Sequence, residues 1–189
     1  MPRLDRWTVV VACGVPFLIA MIGLVHPAHL TDEDALLWRN LHILLLPLFP
    51  LLALGPWLVA RSIDRVYGRV AMVLGFVYAC FYTALDVLAG IGAGGLKHED
   101  RNGLSVLFRL ASDLGQIGSI ALIGATALAC GCAWRVAGPW TLIGTALLLG
   151  GTYGFMQEHV YWPGGGLSML AISAGWAALL YVVRRERVS

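Results

Sequence analysis

The chain has 189 residues, of which 59% are hydrophobic and only 13% charged, and its net charge is +2. A soluble domain carries about 25% charged residues, so a fold of this size would lack the polar groups to cover its surface, and an ordinary soluble globule is excluded. So small a net charge offers no basic surface for nucleic acid, and no linker or charge block divides the chain, which reads as a single domain over 1–189.

The first apolar run, 7–25, follows two arginines, Arg3 and Arg6. It is long for the core of a signal peptide and no Ala-x-Ala site follows it, so it reads as a transmembrane helix. It ends at His26-Pro-Ala-His29. Pro27 disfavours helical geometry at His26, so the two imidazoles flank a turn. Two close imidazoles are half of a zinc or copper site, or else two interfacial histidines at a helix end. Asp32-Glu33-Asp34 reads as a wet acidic patch, with Thr31 or Asp32 capping a short helix that runs into Trp38.

The second span, 41–60, opens with His42, and Arg39 lies three residues earlier on nearly the same face. Pro47, Pro50 and Pro56 should bend this helix and free the carbonyls of Ile43, Leu46 and Leu52. The third span, 70–89, is the only one with a charge, Asp86. Tyr82 precedes it by one helical turn and Gly90 follows by another, so the three share a face. A carboxylate at this depth costs a few kcal/mol unless it is paired or hydrated. Asp86 should therefore turn into the bundle, as metal ligand, proton carrier or base, or as the partner of Arg39 or Arg109.

The segment 90–113 reads as an outer loop, with Lys97-His-Glu-Asp-Arg-Asn102 solvated. The remaining spans are 114–134, 140–156 and 167–183, with Pro139 suited to a first helical turn. Glu158-His159 closes the fifth. Adjacent residues on a helix diverge by about 100°, so both serve one site only if the helix has ended, as Pro163-Gly-Gly-Gly166 suggests. Cys13, Cys80, Cys130 and Cys132 read as small packing residues without a disulfide. Gly115/Ser119, Ala121/Ala125/Ala129, Gly150/Gly154 and Ala171/Gly175 are faces for close helix contact. Trp7, Trp38, Trp134, Trp140 and Trp162 fall at expected interfaces. Gly103-Leu-Ser-Val-Leu107 resembles Gly166-Leu-Ser-Met-Leu170, and Ala35-Leu-Leu-Trp-Arg39 resembles Ser105-Val-Leu-Phe-Arg109, a faint repeat that fits three out-facing helical hairpins.

The fold expected is thus an all-α integral membrane protein, a bundle of six transmembrane helices. With the N-terminus inside, nine basic residues lie on the inner side (Arg3, Arg6, Arg61, Arg65, Arg69, Arg135, Arg184, Arg185, Arg187) and four outside (Arg39, Lys97, Arg101, Arg109). That asymmetry orients both termini to the cytoplasm of a multi-pass protein of the cell membrane. Counting from the inner boundary, His26 lies 20 residues beyond Arg6, His42 19 before Arg61, Asp86 17 beyond Arg69, Asp113 22 before Arg135 and Glu158 19 beyond Pro139. At about 1.5 Å per residue these depths are about 25–33 Å, against a core of about 30 Å. Five helices therefore bring an ionisable group to one layer at the outer boundary, and His159 joins it.

No phosphate loop, His-Glu-x-x-His or Gly-x-Ser-x-Gly is present. The leading reading is an outward-opening site between helices that binds a divalent ion, zinc or copper, through His26, His42, Asp86 and His159, with His29 or Glu158 as further ligands and Arg39, Tyr82, Arg109 and Asp113 around them. With one coordination position open, such an ion would activate water and make the protein a hydrolase. Two alternatives stand beside it. One is a structural or accessory subunit, the lipid bilayer and either copies of itself or other membrane subunits being its partners. The other is a haem or quinone redox module, which lacks an attachment motif and has its histidines at one boundary.

Overall fold

The computed structural model describes residues 6–186, whose regular structure is all helical, without strands. Arg3 and Arg187, which enter the charge asymmetry, lie outside the described residues. The elements are α1 (Arg6–Gly23), α2 (Ala35–Leu45), α3 (Leu54–Ile63), α4 (Arg65–Leu85), α5 (Ala93–His98), α6 (Leu104–Ala137), α7 (Leu142–Glu158) and α8 (Gly164–Glu186). A 3-10 segment, Phe49–Ala53, joins α2 to α3, and a π-helical segment, Asp86–Gly92, joins α4 to α5. Five stretches are long and apolar enough to cross a membrane: Arg6–Gly23, Ala35–Ile63, Arg65–His98, Leu104–Glu158 and Gly164–Glu186. Large apolar side chains on their outward faces, such as Phe17, Phe76, Ile120 and Ile143, are exposed. A soluble monomer rarely shows so broad an apolar exterior.

Pro47 and Pro50 break the second span where they fall. α2 stops at Leu45, just before Pro47, and a tighter 3-10 turn carries Pro50 near its start before α3 resumes. α4 begins at Asp64, whose carboxylate accepts hydrogen bonds from the Val66 and Tyr67 N–H groups at 2.7 and 3.2 Å. Before α2 the cap residue is Asp34 rather than Thr31 or Asp32. Thr31 Oγ1 accepts from the Asp34 N–H and donates to its carboxylate, so the two hold each other in a local turn.

Residues 90–113 are mostly helical rather than a long loop. Helix continues through His98 and resumes at Leu104, leaving a short turn with Gly103 at φ +115°. Hydropathy marks the thickness of the apolar layer; helix ends are set by caps and turns, so polar turns of helix extend beyond it.

Small residues govern the packing. On α6, Ala121, Ala125 and Ala129 are buried, and Gly118 lies so close to α4 that a Cβ would come within 3.0 Å of the Tyr82 nitrogen. α7 and α8 meet at Gly144, Gly151 and Gly175: a Cβ on Gly151 would sit 2.8 Å from the Ser168 carbonyl oxygen. Of the expected Gly150/Gly154 face, Gly154 packs on Ser168 whereas Gly150 is exposed with open space around it. The contact face of α7 therefore runs through 144, 148, 151 and 155, a seven-residue pattern, rather than through a four-residue step. Ser173 Oγ donates to the Cys13 carbonyl at 2.8 Å and ties α8 to α1.

Candidate metal centre

Three histidines from three separate segments converge at one end of the bundle. His26 follows α1, His42 lies on α2, and His159 follows α7. One ring nitrogen of each lies within 4.8 Å of those of the other two. The ring centroids are 4.8 Å apart for His26 and His42, 5.8 Å for His42 and His159, and 6.1 Å for His26 and His159. All three are largely shielded, with His42 only 1% exposed.

In each ring Nδ1 already has a partner. His26 Nδ1 lies 2.8 Å from the Pro27 carbonyl and His42 Nδ1 2.7 Å from the Trp38 carbonyl, so both donate their N–H to backbone. This fixes the tautomer with its lone pair on Nε2. His159 Nδ1 lies 2.6 Å from the Tyr82 hydroxyl. With an ion on Nε2, Nδ1 of His159 carries the proton and donates to the phenol oxygen. The Nε2 atoms of His26 and His159 are buried with no hydrogen-bond partner. A buried nitrogen lone pair without a partner is costly, and a pair of them at one point needs an explanation. Carbonyl and phenol groups behind Nδ1 are the outer partners that orient imidazoles on a metal.

Local structure explains the convergence. α1 ends at Gly23, and tighter turns in which Leu24, Val25 and His26 donate to Met21, Ile22 and Gly23 carry the chain to His26, just before Pro27. His159 has φ +51° and ψ −129°, a conformation that costs a non-glycine residue about 1–3 kcal/mol, and it breaks α7 so that His159 points inward while Glu158 stays exposed. His42 packs onto Gly90, where a Cβ would collide with its ring. Trp38, one turn before His42, is 2% exposed and is no interfacial anchor, in contrast to the exposed Trp7, Trp134, Trp140 and Trp162. Its indole N–H donates to the Ala89 carbonyl at 2.9 Å. That acceptor is free because the Ala93 N–H bonds to Leu88 and Gly90 and skips Ala89, as the wider π turn dictates. Trp38 also meets the edge of the His26 ring. It carries no titratable group, so nothing in its chemistry singled it out; its four-residue spacing from His42 was the available signal.

Asp86 is fully buried and both of its oxygens lack a hydrogen-bond partner. Its carboxylate lies 4.0 Å from His42 Nε2. Among the described residues it makes no ion pair with Arg39, whose guanidinium contacts Asn40 at 3.4 Å, or with Arg109, which is exposed. Tyr82, Asp86 and Gly90 do share one buried face, and each reaches the histidines: Tyr82 through His159, Asp86 and Gly90 through His42. His29, Asp113 and Glu158 are exposed, as is His98. Asp32 pairs with Lys97 at 2.7 Å and links the two outer connections.

Burial pushes the imidazole of His26 below its ordinary value, partly offset by the Pro27 carbonyl. Burial, reinforced by His42 and His26, pushes His159 well below it. Tyr161, packed on the His26 and His159 rings, is pushed up to about 12 by burial and by the nearby Asp86. The site thus keeps neutral imidazoles, the form that binds a metal. A cavity of about 310 Å³ lies alongside, lined by His42, Tyr82 and His159 together with Phe108, Gly115 and Phe155. The three histidines can hold a metal ion. No protein-family model, curated protein or solved structure matches this sequence.

Proposed function

We infer that the chain is an integral membrane protein that holds a divalent ion, zinc or copper, on His26, His42 and His159 at the outer side of the bilayer. The observation that carries this reading is the convergence of three imidazoles whose Nδ1 atoms are taken and of which two present buried, unpartnered Nε2 atoms. Tetrahedral ligands about 2.0–2.1 Å from zinc are about 3.4 Å apart, so nitrogens at the 4.8 Å limit need to close by roughly 0.7 Å each. Asp86 places a negative charge beside the ion.

Six crossings with both ends cytoplasmic fit the same reading. The stretch Leu104–Glu158 has 55 residues, which at about 1.5 Å each is roughly 80 Å, far beyond one bilayer core. Gly138, at φ +52°, divides it into α6 and α7, and the positive-inside asymmetry supports the orientation. The site then opens outward, where an ion with a free coordination position would activate water for hydrolysis.

The test is the metal content of purified protein after dialysis against zinc or copper. One ion per chain is expected, and His26→Ala, His42→Ala and His159→Ala should each lower retention at least tenfold. A wild-type chain that retains no ion, or variants that retain it unchanged, would remove the reading.

A further inference from the structure

An ion on three histidines has a fourth position, and the surroundings of that position differ from one side to the other. Asp86 comes within 4.0 Å of His42 Nε2 and lies outside the set of three histidine nitrogens that are all within 4.8 Å of one another. A fourth protein ligand of a tetrahedral ion would stand about 3.3 Å from all three nitrogens. The cavity, by contrast, is walled directly by His42 and His159. Its other lining includes Ser112, Gln116 and Gln157, which are exposed and so mark its mouth, while His42, Tyr82 and Gly115 are buried and mark its floor.

Charge selects what enters. Three neutral imidazoles and one carboxylate leave a divalent ion with a single positive charge uncompensated. Among the described residues no second carboxylate is buried at the centre: Tyr82 and Tyr161 are phenols, and Asp113 and Glu158 are exposed. In a buried site an unbalanced charge is costly, and one small monoanion restores neutrality.

Building on the metal reading, we propose that the fourth position is open to the cavity and binds a small monoanionic oxygen or nitrogen donor, the class to which hydroxide and carboxylates belong. Asp86 balances charge without ligating the ion. Ser112 and Gln116 on α6 form the entrance.

Cobalt(II) reports this directly through its visible bands, with azide as the probe on the full-length protein in detergent. Wild-type protein loaded with one cobalt should show a saturable spectral change with azide. Ser112→Trp and Gln116→Trp, both at exposed positions, should weaken azide binding at least tenfold while cobalt content stays at one per chain. Asp86→Asn should keep its cobalt and bind azide several-fold more tightly. A stoichiometric cobalt site whose spectrum ignores azide, with a response appearing only in Asp86→Asn, would overturn the proposal and make Asp86 the fourth ligand. Azide binding unchanged in both tryptophan variants would overturn the cavity as the route. Failure of the wild type to take up cobalt, copper or zinc is a separate result, which would sink the metal reading itself.

Discussion

His26 and His159 tie the site to pH through burial. Both are held below the ordinary value of 6.5 in the folded chain. As pH falls below 6.5, the unfolded chain takes up protons at these rings and the folded chain does not, so the metal-free protein loses stability on acidification. The loss is at most about 1.4 kcal/mol per ring per pH unit below that value. Thermal melts of metal-free protein should therefore fall between pH 7.5 and 5.5, and the fall should be smaller in the His26→Ala, His159→Ala double variant. Protons and metal compete for the same nitrogens, so ion retention should stay flat through pH 6.5 and decline only at more acidic pH, where the folded rings themselves begin to take up protons. The depth of these residues was legible in the sequence, because helical rise converts residue counts into ångströms. Their azimuth was not. Whether His159 turns inward depends on a positive φ that no residue type signals, and the burial of Trp38 depends on a carbonyl released by a turn of another helix.

Among the elements, the π-helical Asp86–Gly92 segment does most to build the site. It buries Asp86, seats His42 on Gly90 and offers the Ala89 carbonyl to Trp38. Gly90→Ala should push the His42 ring aside and weaken ion binding at least tenfold, measured by competition with a chelating dye, with helical content unchanged by circular dichroism. Trp38→Phe keeps the ring but leaves the carbonyl without its donor, a loss of about 1–3 kcal/mol. The α7–α8 interface gives an independent check on the packing. Gly151→Leu should destabilise the protein by about 1–3 kcal/mol or more, whereas Gly150→Leu should be nearly neutral. Denaturant titration in mixed micelles separates the two. Small-residue faces could be found in the sequence, but choosing between the 150/154 and 144/151 registers needs the direction of the neighbouring helix, which periodicity alone does not carry.

At the scale of the whole molecule, the apolar exterior belongs to a chain with five stretches able to cross a membrane, and the proposed orientation sets the polar centre near one face of the bilayer, opposite the excess of arginine. If that face is the outer one, cysteines placed at Lys97 and at Arg65 in a cysteine-free background should label from opposite sides in intact cells. Labelling of both from outside would reverse or break the topology. The proposed function rests on the trio of histidines, and X-ray absorption at the zinc edge of the loaded protein addresses them most directly. A metal on this trio should show three imidazole nitrogens at about 2.0–2.1 Å with one further light-atom ligand, and a lower imidazole count in His159→Ala. A shell of sulfur, or of oxygens without imidazole scattering, would contradict it.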